Sequence, residues 1–251
     1  TDDVDAVVLD ECDVLLGENF EFAEQVAPIR NATKPGTQFV LVTATIPDDV
    51  LRQLKDFFES DIRVVQGPGL HRPAAGMIER LIDCSGGDVF DDQSGFYRKF
   101  KALLDLLDVD KADRTLLFCN KIDTCRKIEN FLTRADREGD KYKILPYHAA
   151  LSREQQQANL REFIRSPSKT PHILVCTDRA SRGLDASRVK HVILFDFPRD
   201  PSEYVRRVGR TARGALGQGR VSVFVLGRQV RLAREIMRRN DRGDPVEATP
   251  T

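Results

Sequence analysis

Short apolar runs rich in β-branched residues recur along this chain, and most of them end at polar or charged residues. Runs of about four to eight such residues, bounded by turn-forming residues, are typical of buried strands. The predicted strands are residues 5–9, 39–42, 62–65, 77–82, 115–119, 142–147, 173–176, 189–195 and 221–226.

Between these runs, apolar residues recur at intervals of three and four, the spacing of one face of a helix. Because strands and helices alternate, the sequence predicts an α/β fold with a parallel sheet. Ser152 and Gln155 have the spacing of a capping box, and Ser202 is the predicted N-cap of a later helix. The apolar helix positions are Val50, Leu54, Phe57 and Phe58; Phe96, Phe100, Leu103, Leu104 and Leu107; Ile128, Phe131 and Leu132; Leu160, Phe163 and Ile164; Val230, Ala233, Ile236 and Met237.

Glycine and proline are concentrated in residues 67–76, which we interpret as an interdomain linker. The prediction is one domain at 1–66, a second at 77–240 and a tail at 241–251 that frays from Gly243 onward. The polar stretch 85–95 is predicted to be a surface loop rather than a site.

The chain has 251 residues, 41% of them hydrophobic, and its 39 basic and 39 acidic residues cancel. That composition predicts a soluble globular protein and excludes disorder for most of it. The charge is uneven, because residues 1–73 are acidic and the region from Arg199 onward is rich in arginine. A neutral total therefore does not exclude a basic surface for nucleic acid.

Five cysteines without a C-x-x-C pair suggest neither a disulfide framework nor a zinc site, so we expect an intracellular, reducing compartment. No apolar run approaches the ~20 residues that span a bilayer, so no membrane partner is expected. The start of the chain resembles neither a signal nor a transit peptide.

Asp10 and Glu11 follow the first predicted strand, where open α/β sheets place their ligands. Adjacent carboxylates can hold Mg²⁺ through water and orient an attacking water molecule. The alternative is an acidic first turn of a helix, which the helix dipole favours.

Arg207, Arg210 and Arg213 recur at every third position. Guanidinium groups are permanently charged, planar and bidentate, so three of them suit the charge that spreads over a transferring γ-phosphoryl group. The alternative is the basic, solvated face of a helix.

Several stretches, in this order and spacing, resemble the motifs of the DEAD-box RNA helicases, and the resemblance covers essentially the whole chain. The stretches are Asp10-Glu11-Cys12-Asp13, Thr43-Ala44-Thr45, Phe118-Cys119-Asn120, the run from Thr177 to Asp185 and the run from Arg207 to Arg213. The resemblance implies a parallel-sheet, RecA-like helicase C-terminal domain, preceded by the last part of a first RecA-like domain. It also implies ATP and Mg²⁺ as cofactors and RNA as partner, with possible protein cofactors or an RNP.

The resemblance implies a role for each matching residue. Asp10 would hold Mg²⁺ and Glu11 would orient the attacking water. Arg210 and Arg213 would reach the γ-phosphate, and Asp185 would accept the ribose hydroxyl. Arg207, grouped with these three as cofactor-binding, would support the arginine cluster and the carboxylates across the cleft. The residues implied to bind RNA phosphates are Asn120, Lys121 and Thr177, and those implied to couple the two sites are Thr43 and Thr45.

Some positions depart from the family pattern: Cys12 replaces alanine, Thr43 replaces serine, and Ala149, Gln156 and Arg206 replace glycine, a basic residue and histidine. The last three departures concern residues that the resemblance places at the RNA and ATP contacts.

The chain contains no G-x-x-x-x-G-K-[ST] loop, so we expect a fragment that lacks catalysis by itself. Two alternatives remain: a non-catalytic RNA-binding or protein-docking module, and a DNA helicase of the same superfamily.

Overall fold

The computed structural model describes residues 4–16, 23–59, 61–67, 70–74, 76–86, 92–165, 170–178, 188–212 and 217–246. The chain forms two compact units, Thr1–Arg72 and Pro73–Thr251. Their boundary falls inside the stretch 67–76, where glycine and proline are concentrated. Each unit is described by itself.

In the first unit, strands β1 (Ala6–Asp10) and β2 (Gln38–Val42) pair in parallel, with Asp10 opposite Val42. The described residues of this unit also form the helices α1 (Cys12–Leu15), α2 (Ala23–Ala32) and α3 (Asp48–Phe58). Helix α3 has the predicted apolar face, which buries Val50 and Leu54. The small core contains Leu9, Cys12, Leu16, Val26, Val50 and Leu54.

Two strand predictions fail in the first unit. Residues 62–65 form no strand, and the Val65 side chain is 85% exposed. Strand β1 is also not buried throughout, since Val8 is 63% exposed. Among the described residues of this unit the sheet has two strands, so a β-branched run finds neither a third neighbour nor a second covering layer.

The second unit contains a parallel sheet of six strands, in the order β3-β8-β7-β4-β6-β5. Its central strands β4, β6 and β7 are buried at every position, as their apolar sequences predict. The strands are β3 (Met77–Asp83), β4 (Arg114–Phe118), β5 (Lys143–Tyr147), β6 (His172–Cys176), β7 (His191–Leu194) and β8 (Gly219–Val225).

Helices cover both faces of this sheet, and successive strand residues therefore pack into different cores. Leu116 and Phe118 of β4 lie in one core, whereas Leu117 lies in the other. The helices are α4 (Asp92–Val109), α5 (Ile122–Ala135), α6 (Arg153–Ile164), α7 (Pro201–Val208) and α8 (Gln229–Arg242). Among the described residues, no helix is both long and apolar enough to cross a bilayer.

Helix starts were predicted with mixed success. The capping box of Ser152 and Gln155 is present at the start of α6. The predicted cap Ser202 is wrong, because Asp200 caps α7 by accepting from the Glu203 amide at 2.7 Å, and Pro201 occupies the first helical turn. Aspartate is as good an N-cap as serine, and proline is favoured just after the cap.

Two predicted irregular segments are ordered in part. Helix α4 begins at Asp92, so the end of the predicted loop 85–95 is helical. At Gly95 an added Cβ would lie 2.9 Å from Leu226 Cδ1, so glycine permits the close packing of α4 on the end of β8. In the predicted tail, Gly243 ends α8 at φ 70°, and Val246 is buried in the core.

Candidate functional site

The carboxyl ends of the parallel strands in the second unit gather residues that are far apart in sequence. Asn120 follows β4, Thr177 and Asp178 follow β6, and Asp196 follows β7. Because these three strands are neighbours in the sheet, the side chains meet at one edge, beside the arginine-bearing helix α7.

Arg207 lies at the centre of this edge, with a side chain that is fully buried. Its Nε and Nη2 donate to the two carboxylate oxygens of Asp178 at 2.7 and 2.6 Å. Nη2 also donates to Asn120 Oδ1 at 2.6 Å, and Nη1 donates to the carbonyl of Asp196 at 2.8 Å. The guanidinium is thus committed to internal partners, as expected for a charge removed from water.

The electrostatics of the pair agree with this geometry. Burial alone would raise the pKa of Asp178, but the hydrogen bonds and charge of Arg207 overcome it and hold that pKa below its ordinary value. Burial lowers the pKa of Arg207, and Asp178 more than restores it. Glu203 is a second carboxylate, 3.3 Å from Arg207, and its pKa is raised by burial and by the charge of Asp178.

Arg210 follows α7 in a tight turn. It is buried, and its charge acts against the burial that raises the pKa of the Cys176 thiol at the end of β6. In the same turn the Thr211 hydroxyl donates to the Val189 carbonyl at 2.7 Å, and Ala212 adopts a left-handed φ of 53°. The predicted site residues Arg213 and Asp185 lie outside the described residues.

The three residues implied to bind RNA differ in availability. Asn120 is occupied, because its Oδ1 accepts from Arg207, its Nδ2 donates to the Phe197 carbonyl and its amide donates to Asp196 Oδ2. Lys121 is exposed at the N-cap of α5, and Thr177 is half-buried at the end of β6. The structure therefore brings Asn120, Lys121 and Thr177 to one edge and leaves the side chains of the last two accessible.

A basic pocket of about 610 Å³ opens at the same edge, which the prediction of a surface loop at 85–95 did not anticipate. Lys99 is buried there, 3.3 Å from Asp196 Oδ1, with its ammonium over the Phe195 ring. Helical spacing identified the apolar side of α4 but carried no signal for these cations. The pocket includes Ser85, Arg98, Lys99, Lys121, Lys127 and Gly227.

A partly buried hydrogen-bond network holds α7 from its other side. Tyr204, on α7, donates a hydrogen bond to Glu79 Oε1 on β3, and Asn240 on α8 donates to both Glu79 oxygens at 3.0 and 2.9 Å. Burial raises the pKa of Glu79 although both partners oppose the rise. The sequence contained no sign of this network, because its members come from three distant elements.

In the first unit, Asp10 ends β1 and Glu11 follows at a left-handed φ of 52°. The Glu11 amide donates to Asp10 Oδ1 at 2.9 Å, and Asp10 is exposed. A single accessible carboxylate fits a Mg²⁺ ion that keeps most of its ligands as water or phosphate. Among the described residues, no group of three or more acidic, histidine or cysteine side chains is arranged to hold a metal.

The two threonines predicted to couple the sites lie in the same unit. The Thr43 hydroxyl donates to the Thr45 carbonyl at 2.7 Å and accepts from the Thr45 amide. The Thr45 hydroxyl, fully buried, donates to Asp13 Oδ2 at 2.6 Å. Asp13 thus joins the motif after β1 to the motif after β2, a contact that sequence reasoning did not assign.

Comparison with known proteins agrees with this arrangement. Residues 98–215 match the helicase conserved C-terminal domain. DEAD-box ATP-dependent RNA helicase 50 of Oryza sativa subsp. japonica is 47% identical over 246 residues, which is 97% of this chain and 38% of the relative. The Arabidopsis thaliana protein of the same name is 48% identical over 97% of this chain and 31% of its own length.

Solved structures show the same fold. Saccharomyces cerevisiae Dbp5 bound to RNA and ADP BeF3 has a TM-score of 0.74 and 22% identity, covering 96% of this chain and 57% of that one. Mss116p bound to ssRNA and AMP-PNP has a TM-score of 0.71 and 20% identity, covering 95% and 46%.

The sheet, its flanking helices and the matching domain define a RecA-like α/β protein of the helicase class. With its motifs and its 47% identity to named members, the chain belongs to the DEAD-box helicase family. It spans about two fifths or less of the length of the two plant relatives.

Proposed function

We propose that the intact protein is an ATP-dependent RNA helicase of the DEAD-box type. It couples ATP hydrolysis and domain closure to the unwinding of RNA duplexes or the remodelling of RNPs. The observation that carries the proposal is the 47–48% identity, over 97% of this chain, to two proteins named as such helicases. The buried contacts among Asn120, Asp178 and Arg207 support it, because they tie together three of the motifs behind the resemblance.

In this proposal ATP and Mg²⁺ are the cofactors. The exposed carboxylate of Asp10 would hold Mg²⁺, which would supply charge neutralisation at the phosphates, and Glu11 would orient the attacking water molecule. Arg210 and Arg213 stabilise the charge that develops on the γ-phosphoryl group, and Asp185 accepts a ribose hydroxyl. Thr43 and Thr45 couple the nucleotide and RNA sites through their hydrogen bonds.

Arg207 has a different role from its neighbours. Since its donors are occupied by Asp178, Asn120 and the Asp196 carbonyl, it positions the turn that carries Arg210 rather than contacting nucleotide itself. Asn120 acts in the same way, through its hydrogen bond to Arg207. The direct RNA phosphate contacts then fall to Lys121 and Thr177.

The 251-residue chain by itself should have negligible ATPase activity, because it contains no phosphate-binding loop sequence. A steady-state ATPase assay on this chain, beside the intact protein with and without RNA, tests the proposal. RNA-stimulated ATP turnover by the intact protein, with none by the 251-residue chain, supports the helicase proposal. ATP turnover by the 251-residue chain contradicts the expectation that this chain is inactive by itself.

RNA binding by the second unit should be sequence-independent and should weaken with salt, since phosphate contacts release counterions. Labelled single strands of different sequence, titrated at several salt concentrations, measure this. A strong preference for one sequence would reject backbone contacts. RNA binding without ATP turnover by the intact protein would favour the alternative of a non-catalytic module, and equal use of DNA would favour a DNA helicase.

A further inference from the structure

The C-terminal helix α8 presents a second cluster of arginines, far from α7 in sequence. Residues 228–242 contain six arginines and two acidic residues. Ala233 and Ile236 face the core, whereas five of the arginines are exposed. At 3.6 residues per turn these five fall on about one third of the helix circumference, over about 20 Å. We call this surface the arginine face: Arg228, Arg231, Arg234, Arg238 and Arg242.

Among the described residues, acidic side chains that interact with the arginine face are fewer than its five arginines. Glu235 pairs with Arg238 and with Arg239, and Arg234 contributes to the lowered pKa of Asp83, after the hydrogen bonds from Ser85. The first turn of α8 contains no acidic residue. Like charges three and four positions apart repel each other, and a cation near a helix N-terminus opposes the dipole. An anion bound along this face would relieve both effects.

The arginine face is continuous with the candidate site. Gly227 lines the basic pocket at the carboxyl edge of the sheet, and Arg228 is the next residue and the N-cap of α8. The Gly227 amide donates to the Ser85 hydroxyl at 2.7 Å, which fixes this junction. The pocket that contains Lys121 and Lys127 therefore ends at the residue before Arg228, the first arginine of this face.

The composition of the face favours a phosphate backbone over a protein partner. Among the described residues, none of the exposed large apolar side chains lies on α8. Protein interfaces depend on apolar or aromatic anchors at their centre, which this face lacks. Guanidinium groups, by contrast, bind phosphates in bidentate fashion.

We propose that the arginine face binds the phosphate backbone of RNA that continues beyond the edge of the sheet. The proposal rests on the proposed helicase function and adds a second, sequence-independent contact surface to it. It implies that the protein binds longer RNAs more tightly than the candidate site at the carboxyl edge of the sheet would by itself. This gain in affinity should be sensitive to salt.

The test compares three variants of the intact protein. The first replaces Arg231, Arg234 and Arg238 by glutamine. A control variant replaces Arg134, Arg137 and Arg161 by glutamine. These arginines are also exposed, so the control loses the same positive charge. The third variant is Lys121→Ala, in the candidate site at the carboxyl edge of the sheet. Each is titrated with labelled oligouridine of about 10 nucleotides, a length within the usual range of single-strand sites, and with the same strand extended at its 5′ or its 3′ end.

For the first variant we expect the extended strand to lose about tenfold or more in affinity. The slope of log affinity against log salt should fall by about 2, since each phosphate contact on a single strand contributes ~0.7. Extending the strand should then add little to the RNA affinity of this variant. The control should retain the preference for the extended strand, and Lys121→Ala should weaken both lengths.

Three results would overturn the inference. In the first, the arginine-face variant and the control bind the extended strand equally while Lys121→Ala weakens both, which leaves the helicase proposal standing. In the second, the wild-type protein shows no preference for extended RNA. In the third, the variant keeps its RNA affinity but loses a co-purifying acidic protein, which assigns the face to protein docking. Absence of any RNA binding or RNA-stimulated turnover would instead reject the proposed function itself.

Discussion

Arginines recur every three or four residues in two places, at Arg207 and Arg210 and along α8, yet their environments are opposite. Arg207 lies in the last turn of α7 and Arg210 in the turn after it, and both are buried, whereas most arginines of α8 are exposed. The Arg207 side chain on α7 is fully buried and holds two carboxylates. Arg231 and Arg234 on α8 are exposed. Spacing therefore identifies a charged segment. Whether neighbouring residues supply hydrogen-bond acceptors decides if an arginine is held inside the protein or left accessible to a ligand.

The difference follows from where each helix packs. Helix α7 lies beside the carboxyl ends of β4, β6 and β7, which supply Asn120, Asp178 and the Asp196 carbonyl. Helix α8 packs against β3 and β8 through an apolar inner side, where Asn240 adds hydrogen bonds to Glu79. An arginine that is withdrawn from water must find such acceptors, whereas an exposed one keeps its hydration.

The largest expected effect concerns Arg213, which follows Arg207 and Arg210 in the same motif. Arg213→Lys in the intact protein keeps the charge but removes the planar fork that can hold two phosphate oxygens. Arginine fingers contribute roughly 10³ to 10⁵ in rate, so RNA-stimulated turnover should fall by a large part of that factor. RNA affinity without nucleotide should change little. An unchanged turnover would place Arg213 with the solvated arginines of α8.

The second prediction concerns stability and tests the comparison directly. Arg207→Met leaves the half-buried Asp178 and the buried Glu203 without their cation, so the free energy of unfolding should fall by about 3–5 kcal/mol. Arg231→Gln, the matched change on α8, should stay within about 0.5 kcal/mol. Urea denaturation of the 251-residue chain measures both. Equal losses would mean that burial does not separate the two helices.

A third prediction examines the network that joins the two helices. Tyr204→Phe removes the hydroxyl that donates to Glu79 and leaves a half-buried carboxylate with one fewer partner. The free energy of unfolding should fall by about 1–3 kcal/mol. Phe197→Leu in the same core provides a control for apolar packing, and a silent Tyr204→Phe would show that the hydroxyl contributes nothing.

The smallest effect should come from Glu79→Gln, and it should depend on pH. Because the folded protein raises the pKa of Glu79, this carboxyl favours the folded state most when it is protonated, and that contribution is lost as pH rises through the raised pKa. Glutamine mimics the protonated acid, and its amide can donate to Asn240 Oδ1, which has no partner among the described residues.

The variant should therefore match the wild type in acid and should be more stable by about 1 kcal/mol near neutral pH. Thermal unfolding at several pH values measures this difference in stability. The pH range from about 4 to 7 begins near the ordinary glutamate pKa and extends above it. A difference that stays constant with pH would show that the Glu79 carboxylate is not the titrating group.

The sequence by itself determined the elements of the second unit and the edge at which the site lies. Period-two and period-three-to-four patterns report which side of a strand or helix is buried, and a polar residue after an apolar run marks a strand's carboxyl end. Hence the strands ending near Asn120 and Thr177, and the helix from Arg153, appear where the patterns predict them.

Only the tertiary structure decided which of these side chains have their hydrogen-bonding groups engaged by other residues of the protein. Arg207 meets Asp178, 29 residues earlier, and Asn120, 87 residues earlier, and no local pattern records such a pairing. The same holds for residues 62–65, whose β-branched run finds no neighbouring strand in the described part of the first unit. Local patterns encode burial along one element, whereas hydrogen-bond partners depend on distant segments that the fold brings together.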